Sequence, residues 1–495
     1  MLGNRSLWTV GLLLLFAAVY FYQDPEWNGN SRLDLTRAIV ERGTFQIDGY
    51  PSQHDWATED LALYNGHYYS DKAIGSSLFA VPFYFLIFNL AAALHLQLGS
   101  VFVKHLLTAL VLAPAFAVNG IVMYRLAGKL GASPRRALVA TLAIALGTML
   151  WPYSAVYYGH ALTAAFLIVC FYLLFSMSRA RETIRPMGFF MAGLAMGLGF
   201  ITEYTAAFII PGLIVYAALV LRGQTAQTAL RIALAGTAGA LIPLSAMFAY
   251  NFSVFGNPLA FGYTYEASNT FQQGMSLGLM GIHLPHRSVL IHITLDPKFG
   301  LFWQSPILAL APFGYFMSLK RREYRAETIL SIYAIGAMLL MNAGYYLWWG
   351  GHGFGPRLII PCLSFFIVPL ALLPNVLDVP AILLTALSIG QMLIPLVGQI
   401  QMAVDFKQRL NVFFVEAVKF DGFSILYQHG LPLIAQRYQH GIASWTLGTA
   451  LGLPYWLTLP ALLAVEIGLI VLYLKQIRKE AASAPTPGEA SAPRA

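Results

Sequence analysis

Nine of the chain's 22 acidic residues lie between positions 23 and 75: Asp24, Glu26, Asp34, Glu41, Asp48, Asp55, Glu59, Asp60 and Asp71. The same stretch carries Arg32, Arg37, Arg42, Lys72 and the Tyr68-Tyr69 pair. Carboxylates accept protons and cations, while guanidinium and ammonium groups bind anions, phosphates among them. A loop that only joins two helices needs no such density of both, so the stretch reads as half of an active site. Arg32 either closes a local ion pair or offers its planar fork to a phosphate. Lys72 pairs with Asp71, anchors at lipid headgroups, or meets a lipid phosphate at the mouth of the apolar run that follows it.

Two further segments crowd polar residues and glycine against apolar runs: NFSVFGNPLAFGY at 251–263 and YYLWWGGHGFGPR at 345–357. Aromatics at an interface explain Tyr345, Tyr346, Trp348 and Trp349, but not the glycines beside His352 and Arg357. An arginine opening a helix opposes the helix dipole, so Arg357 calls for an anionic partner, either a ligand or a loop carboxylate. His160 and Glu203 sit at the edges of apolar runs, where ionisable groups face a cavity or reach for water. His283, His286 and His292 share a segment with Glu266 and Asp296, at spacings that match no usual metal signature.

Composition sets the class of scaffold. Hydrophobic residues make up 58% of the 495-residue chain and charged residues 11%, and the mean hydropathy is +0.64. These values describe a polytopic membrane protein. The formal charge of +8 fits basic residues gathered on the cytoplasmic side and excludes no membrane function. No basic run with interleaved aromatics points to nucleic acid. Cys170 and Cys362 each lie inside an apolar run, which argues against a disulfide framework. Arg5 followed by the apolar run 7–22 reads as a retained signal anchor.

Runs long enough to span are centred near residues 14, 112, 144, 167, 194, 213, 236, 310, 336, 366, 389 and 464, with a thirteenth at 76–96. If all thirteen crossed, every basic cluster would face outward. Treating 76–96 as an interfacial helix puts all five clusters and both termini in the cytoplasm. The expected fold is therefore an all-α bundle of about 12 spanning helices plus that interfacial helix. It occupies 1–478, with external loops 23–101, 251–299 and 402–455 and a disordered cytoplasmic tail at 479–495. Within the first loop, 31–42 has a helical pattern with Ser31 as N-cap and Gly43 as its stop. Lys407, Arg409, Lys419 and Arg437 in the last loop are expected on the acceptor side.

The sequence YSDKAIG at 69–75 is similar to the Tyr-x-Glu/Asp-Lys-Pro-Pro or Lys-Ala-Pro-Gly stretch of the GT-C glycosyltransferases that use polyprenyl-phosphate sugars. SRLDLTRAIVERGTF at 31–45 looks like the first periplasmic helix of their family 39 group, which includes aminoarabinose transferases and protein O-mannosyltransferases. The resemblance covers the N-terminal two thirds. It departs in two places: Gly29 and Asn30 stand where that family carries an acidic residue, and Ile74 replaces a proline.

The resemblance implies a membrane glycosyltransferase that moves a sugar from an undecaprenyl- or decaprenyl-phosphate donor to a hydroxyl of a cell-envelope lipid, glycan or protein, with inversion. The site would face the periplasm or exterior of the inner or plasma membrane, and the partners would be membrane lipids and the lipid-linked sugar. Arg32, Lys72 and Arg357 would bind the donor phosphate. Asp34 is the first choice of general base, followed by Asp60, Asp71 and Glu59, and Tyr69, His160, Glu203 and His352 would line the substrate pocket. No cofactor is required, and a divalent metal is left open. The competing class is a lipid or solute transporter or flippase, which calls for charges at mid-membrane and paired broken helices in two repeats; no such repeat is evident.

Overall fold

The computed structural model describes residues 4–179, 184–320, 322–400, 424–439 and 446–482. Lys407, Arg409 and Lys419, and the tail from 483 onward, lie outside the described residues. The described residues form a helical membrane bundle with one small hairpin. Each of the twelve apolar runs is helical, and among the described residues seven helices are long and apolar enough to cross a membrane. Several of the others are broken rather than continuous. The run near 366, for instance, winds as a tight three-residue-per-turn helix over Arg357–Phe366 before one turn of α-helix at Ile367–Ala371.

The helices used below are α1 (Asn4–Tyr20), α2 (Glu26–Arg37), α3 (Gly75–Ala93), α4 (Ser100–Lys129), α5 (Pro134–Ala145), α6 (His160–Arg179), α7 (Pro186–Thr202), α8 (Ile210–Val220), α9 (Ala226–Phe255), α10 (Arg325–Gly344), α11 (Asp378–Val397) and α12 (Tyr455–Ala482). The last of these carries residues 479–482 of the expected tail as helix. Helices α1 and α4 run antiparallel: Gly11 lies against Ile121, and Gly120 against Leu14, while Tyr22 meets His105 edge-on. The start of α4 and the end of α1 therefore share one end of the bundle, and the acidic loop lies there too.

Helix α3 matches the expected 76–96 helix within a few residues, and chain geometry keeps it from crossing. Its first half lies along α2, with Thr36 donating to the Ser77 carbonyl at 3.0 Å and Tyr84 to Glu41 at 2.5 Å. Ser100, seven residues after Ala93, donates to Asp55 of the acidic loop at 2.7 Å. Seven residues reach at most about 25 Å, short of the roughly 30 Å of hydrocarbon that a spanning α3 would leave to be recrossed. Both ends of α3 thus belong to the loop end of the bundle.

The acidic loop is more ordered than its composition suggests. Helix α2 begins five residues earlier than expected, at Glu26, so Ser31 is not its N-cap; its hydroxyl instead meets Ser70 Oγ at 2.8 Å. Past Arg37 the helix widens into a π-turn at Ala38–Arg42 and stops at Gly43, whose φ of 64° ends it in the left-handed region. The unexpected element is a β-hairpin, β1 (Leu61–Tyr64) and β2 (His67–Ser70). Asn65 and Gly66 both have positive φ, 50° and 82°, as a two-residue turn between paired strands requires. Beneath the hairpin, Leu35, Ile47, Tyr50, Ala62, Tyr69 and Ile74 pack on Met247, Tyr250 and Phe255 of α9.

Candidate active site

The hairpin register builds the first half of the site. Leu61 pairs with Ser70, so the residues just outside that pair, Asp60 and Asp71, come side by side with Lys72 between them. Lys72 Nζ is 3.0 Å from Asp60 Oδ2 and 2.6 Å from Asp71 Oδ2. Burial works to lower the Lys72 ammonium, but the two carboxylates outweigh it and hold its pKa well above the ordinary value. Glu266 closes the group from the 251–299 segment, anchored by a bridge between its backbone and Ala62. Burial first, and repulsion from Asp71 second, push the Glu266 carboxyl up to about 10, against the pull of Lys72. Burial also raises Asp71.

Asp60, Lys72 and Glu266 open onto a cavity of about 420 Å³, also lined by His160, Glu203, Tyr263, Tyr345 and Arg357. Phe200, Phe208, Phe261, Met275 and Met341 supply apolar walls. Glu203 is the residue at which α7 ends, in extended backbone. One of its oxygens takes Arg32 Nη2 at 2.7 Å, and His160 Nδ1 lies 3.5 Å from the same oxygen. Arg357 enters from the opposite segment, its guanidinium 5.0 Å from the centre of the Tyr158 ring. Gly350 and Gly351, at φ of 76° and 80°, wrap around it; a Cβ on Gly350 would stand 3.0 Å from the Arg357 side chain. Arg357 Nε is buried and has no hydrogen-bond partner among the described residues. Unlike Lys72, this cation has no carboxylate in ion-pair contact among the described residues.

Five of the residues singled out from sequence therefore meet at one cavity: Asp60, Lys72, His160, Glu203 and Arg357. Asp71 touches it only through Lys72. Arg32 is 1% exposed and fully engaged, since besides Glu203 it donates to the Ala73 and Thr202 carbonyls, Ser76 and Asn28. It ties α2 to α3 and α7 and does not itself line the cavity. Asp34, the expected first base, is buried on the inner face of α2 beside Arg37 at 3.4 Å, away from the cavity. Burial, only partly offset by Arg37, pushes its carboxyl up to about 8. Glu59 and His352 are exposed and off the cavity lining, and Tyr69 packs edge-on against Phe255 beneath the hairpin.

Sequence reasoning passed over Glu266 as a site residue, because it weighed that acid only with the nearby histidines as a metal ligand. Among the described residues no group of three or more His, Cys, Asp or Glu side chains is arranged to hold a metal ion. His292 instead pairs with Asp296 at 2.6 Å and stacks on Trp348.

Among solved structures, ArnT from Cupriavidus metallidurans bound to undecaprenyl phosphate aligns with a TM-score of 0.51 at 15% identity, over 95% of this chain and 75% of that one. The apo state of ArnT from the same organism aligns equally well, at 14% identity and over 74% of its length. At such identities the likeness is one of fold. No family model and no curated protein sequence matches the chain. The acidic residue that the sequence lacks at position 29 has a steric counterpart: a Cβ on Gly29 would stand 2.7 Å from the Tyr157 carbonyl and closer still to Pro25. The carboxylate beside Arg32 is that of Glu203, just past the end of α7.

Proposed function

We propose that the protein is a glycosyltransferase that moves a sugar from a polyprenyl-phosphate donor to an acceptor hydroxyl at the loop end of the bundle. The observation that carries this reading is the convergence of Lys72 and Arg357 with Asp60 and Glu203 on one cavity beside α3. The ArnT structure that shares the fold binds undecaprenyl phosphate, the class of lipid phosphate that such a donor leaves behind.

In this reading the bond between the anomeric carbon and the phosphate oxygen breaks as the acceptor oxygen bonds to that carbon from the opposite face, which inverts it. Lys72 and Arg357 stabilise the charge that develops on the departing lipid phosphate. Asp60 takes the proton of the acceptor hydroxyl. Before donor binds, Asp60 is tied to Lys72 at 3.0 Å; a phosphate competing for that ammonium frees the Asp60 carboxylate to face the acceptor hydroxyl. Arg32 acts as a positioning residue through Glu203. The outer face of the cell membrane is the proposed location, and an envelope lipid, glycan or protein the acceptor.

The test is transfer of labelled sugar from polyprenyl-phosphate donors by the purified chain in lipid. Loss of one preorganised charge-stabilising donor costs on the order of 10²–10³ in turnover, so Lys72→Ala is expected to fall by that much and Asp60→Asn comparably. Undiminished transfer by both variants, each melting like wild type, would remove the assignment.

A further inference from the structure

A second large cavity, of about 500 Å³, lies between α8 and the helix of residues 322–344, with Val215, Leu219, Arg322, Arg325, Ile329 and Tyr333 in its lining. It sits at the other end of the bundle from the candidate active site. Helix α6 begins at His160 on the active-site cavity and ends at Arg179, which pairs with Glu323 and Glu327 beside the second cavity. Its 20 residues span about 30 Å, the thickness of the hydrocarbon layer.

The charges at this second cavity are unbalanced. Glu327 is taken up by Arg179 at 3.4 Å and by the Tyr216 hydroxyl at 2.7 Å. Arg322 and Arg325 are exposed, and neither forms an ion pair with any described residue. Among the described residues no carboxylate lines the cavity. Its remaining walls are mostly apolar, with Val215 and Ile329 more than half exposed, and the two helices approach closely where Gly212 meets the Tyr333 ring and Leu330.

We propose that this cavity binds one anionic glycerophospholipid, its phosphate held by Arg322 and Arg325 and one acyl chain lying between α8 and the 322–344 helix. Two guanidiniums suit any phosphate, but only a phosphate carrying an apolar chain also fills the groove beneath them. A zwitterionic headgroup brings its own ammonium to a cavity that no described carboxylate lines, the neighbouring Glu323 and Glu327 being paired with Arg179, and is disfavoured. Two basic residues near the membrane surface correspond to a preference of roughly thirtyfold for the anionic lipid.

The experiment is native mass spectrometry of the full chain released from detergent with phosphatidylglycerol and phosphatidylcholine of identical acyl chains. Wild type is expected to retain one phosphatidylglycerol, preferred tenfold or more over phosphatidylcholine. Arg322→Ala/Arg325→Ala should bring the two lipids to parity, whereas Arg322→Lys/Arg325→Lys, with charge kept, should preserve most of the preference and show that the site tolerates substitution. Val215→Trp fills the groove without touching charge and should abolish retention. Arg135→Ala/Arg231→Ala removes two exposed arginines elsewhere and should change nothing. Equal retention of both lipids by wild type, an equal loss in the Arg135/Arg231 variant, or full retention in Val215→Trp would each overturn the proposal.

Discussion

Replacing Glu266 by Gln should stabilise the protein, and increasingly so as pH rises. The residue is 6% exposed, and its carboxyl pKa moves from an ordinary 4.5 to about 10 on folding. An unfolded glutamate is ionised at pH 7, so folding must take up a proton, at about 1.4 kcal/mol for each pH unit above 4.5. The cost is roughly 3 kcal/mol at pH 7 and 5 kcal/mol at pH 8. Because the folded pKa is the higher one, the group's contribution to stability is complete below about 4.5 and is lost as pH rises toward 10. Glutamine keeps the shape and the neutral donor toward Asp71 and has no proton to take up. For a chain of this length, about 1 kcal/mol corresponds to one degree of melting temperature. Melting in lipid nanodiscs should therefore show Glu266→Gln within a degree of wild type at pH 5, and roughly 3–5 °C above it at pH 7 to 8. A difference that does not change with pH, or a variant that melts below wild type at pH 8, would refute the reasoning.

Other expectations follow from the buried pairs and the hairpin. Arg32→Met or Glu203→Gln alone leaves a buried charge without its partner and should cost about 3–5 kcal/mol; the double variant should cost clearly less than the two summed, as read by a melting-temperature cycle. Gly66→Val puts a β-branched residue at a φ of 82° and should cost about 1–3 kcal/mol. By loosening the strand register it should also reduce sugar transfer, whereas the same change at exposed Gly468 of α12 should leave transfer intact. Glu466 is buried in α12 with neither carboxylate oxygen bonded to a described residue, so Glu466→Leu should raise the melting temperature, by about 1–3 kcal/mol of stability. A lower melting temperature there would mean that Glu466 has a partner beyond the described residues.

Much of the scaffold was legible because membrane insertion writes itself into composition. The apolar runs marked the helices, and the basic clusters singled out the run at 76–96. Side chains were harder to place. Asp34 looked like the base because it shares a helix with Arg32, but the helix phase turns it inward against Arg37, and a helix that starts at Glu26 rather than Ser31 has no use for Ser31 as a cap. Glu59 and Asp60 looked equivalent in a row of acids. One enters the cavity and the other faces solvent, because a strand beginning at Leu61 sends neighbouring side chains to opposite faces. The Asn65-Gly66 turn signal for that strand was present in the sequence and overlooked inside a helical protein.

By itself, the sequence determined that this is a membrane bundle with its polar chemistry concentrated in the loop after the first helix, because hydropathy and charge are summed along the chain and need no third dimension. It also identified Lys72 and Arg357 as cations in unusual places. Only the tertiary structure decided which carboxylates they meet. The hairpin sets Asp60 and Asp71 on either side of Lys72, the end of α7 carries Glu203 to Arg32 from 171 residues away, and the 251–299 segment inserts Glu266 into the same group. Contacts at such separations depend on strand register and helix phase, and those are fixed by packing rather than by any local pattern of residues.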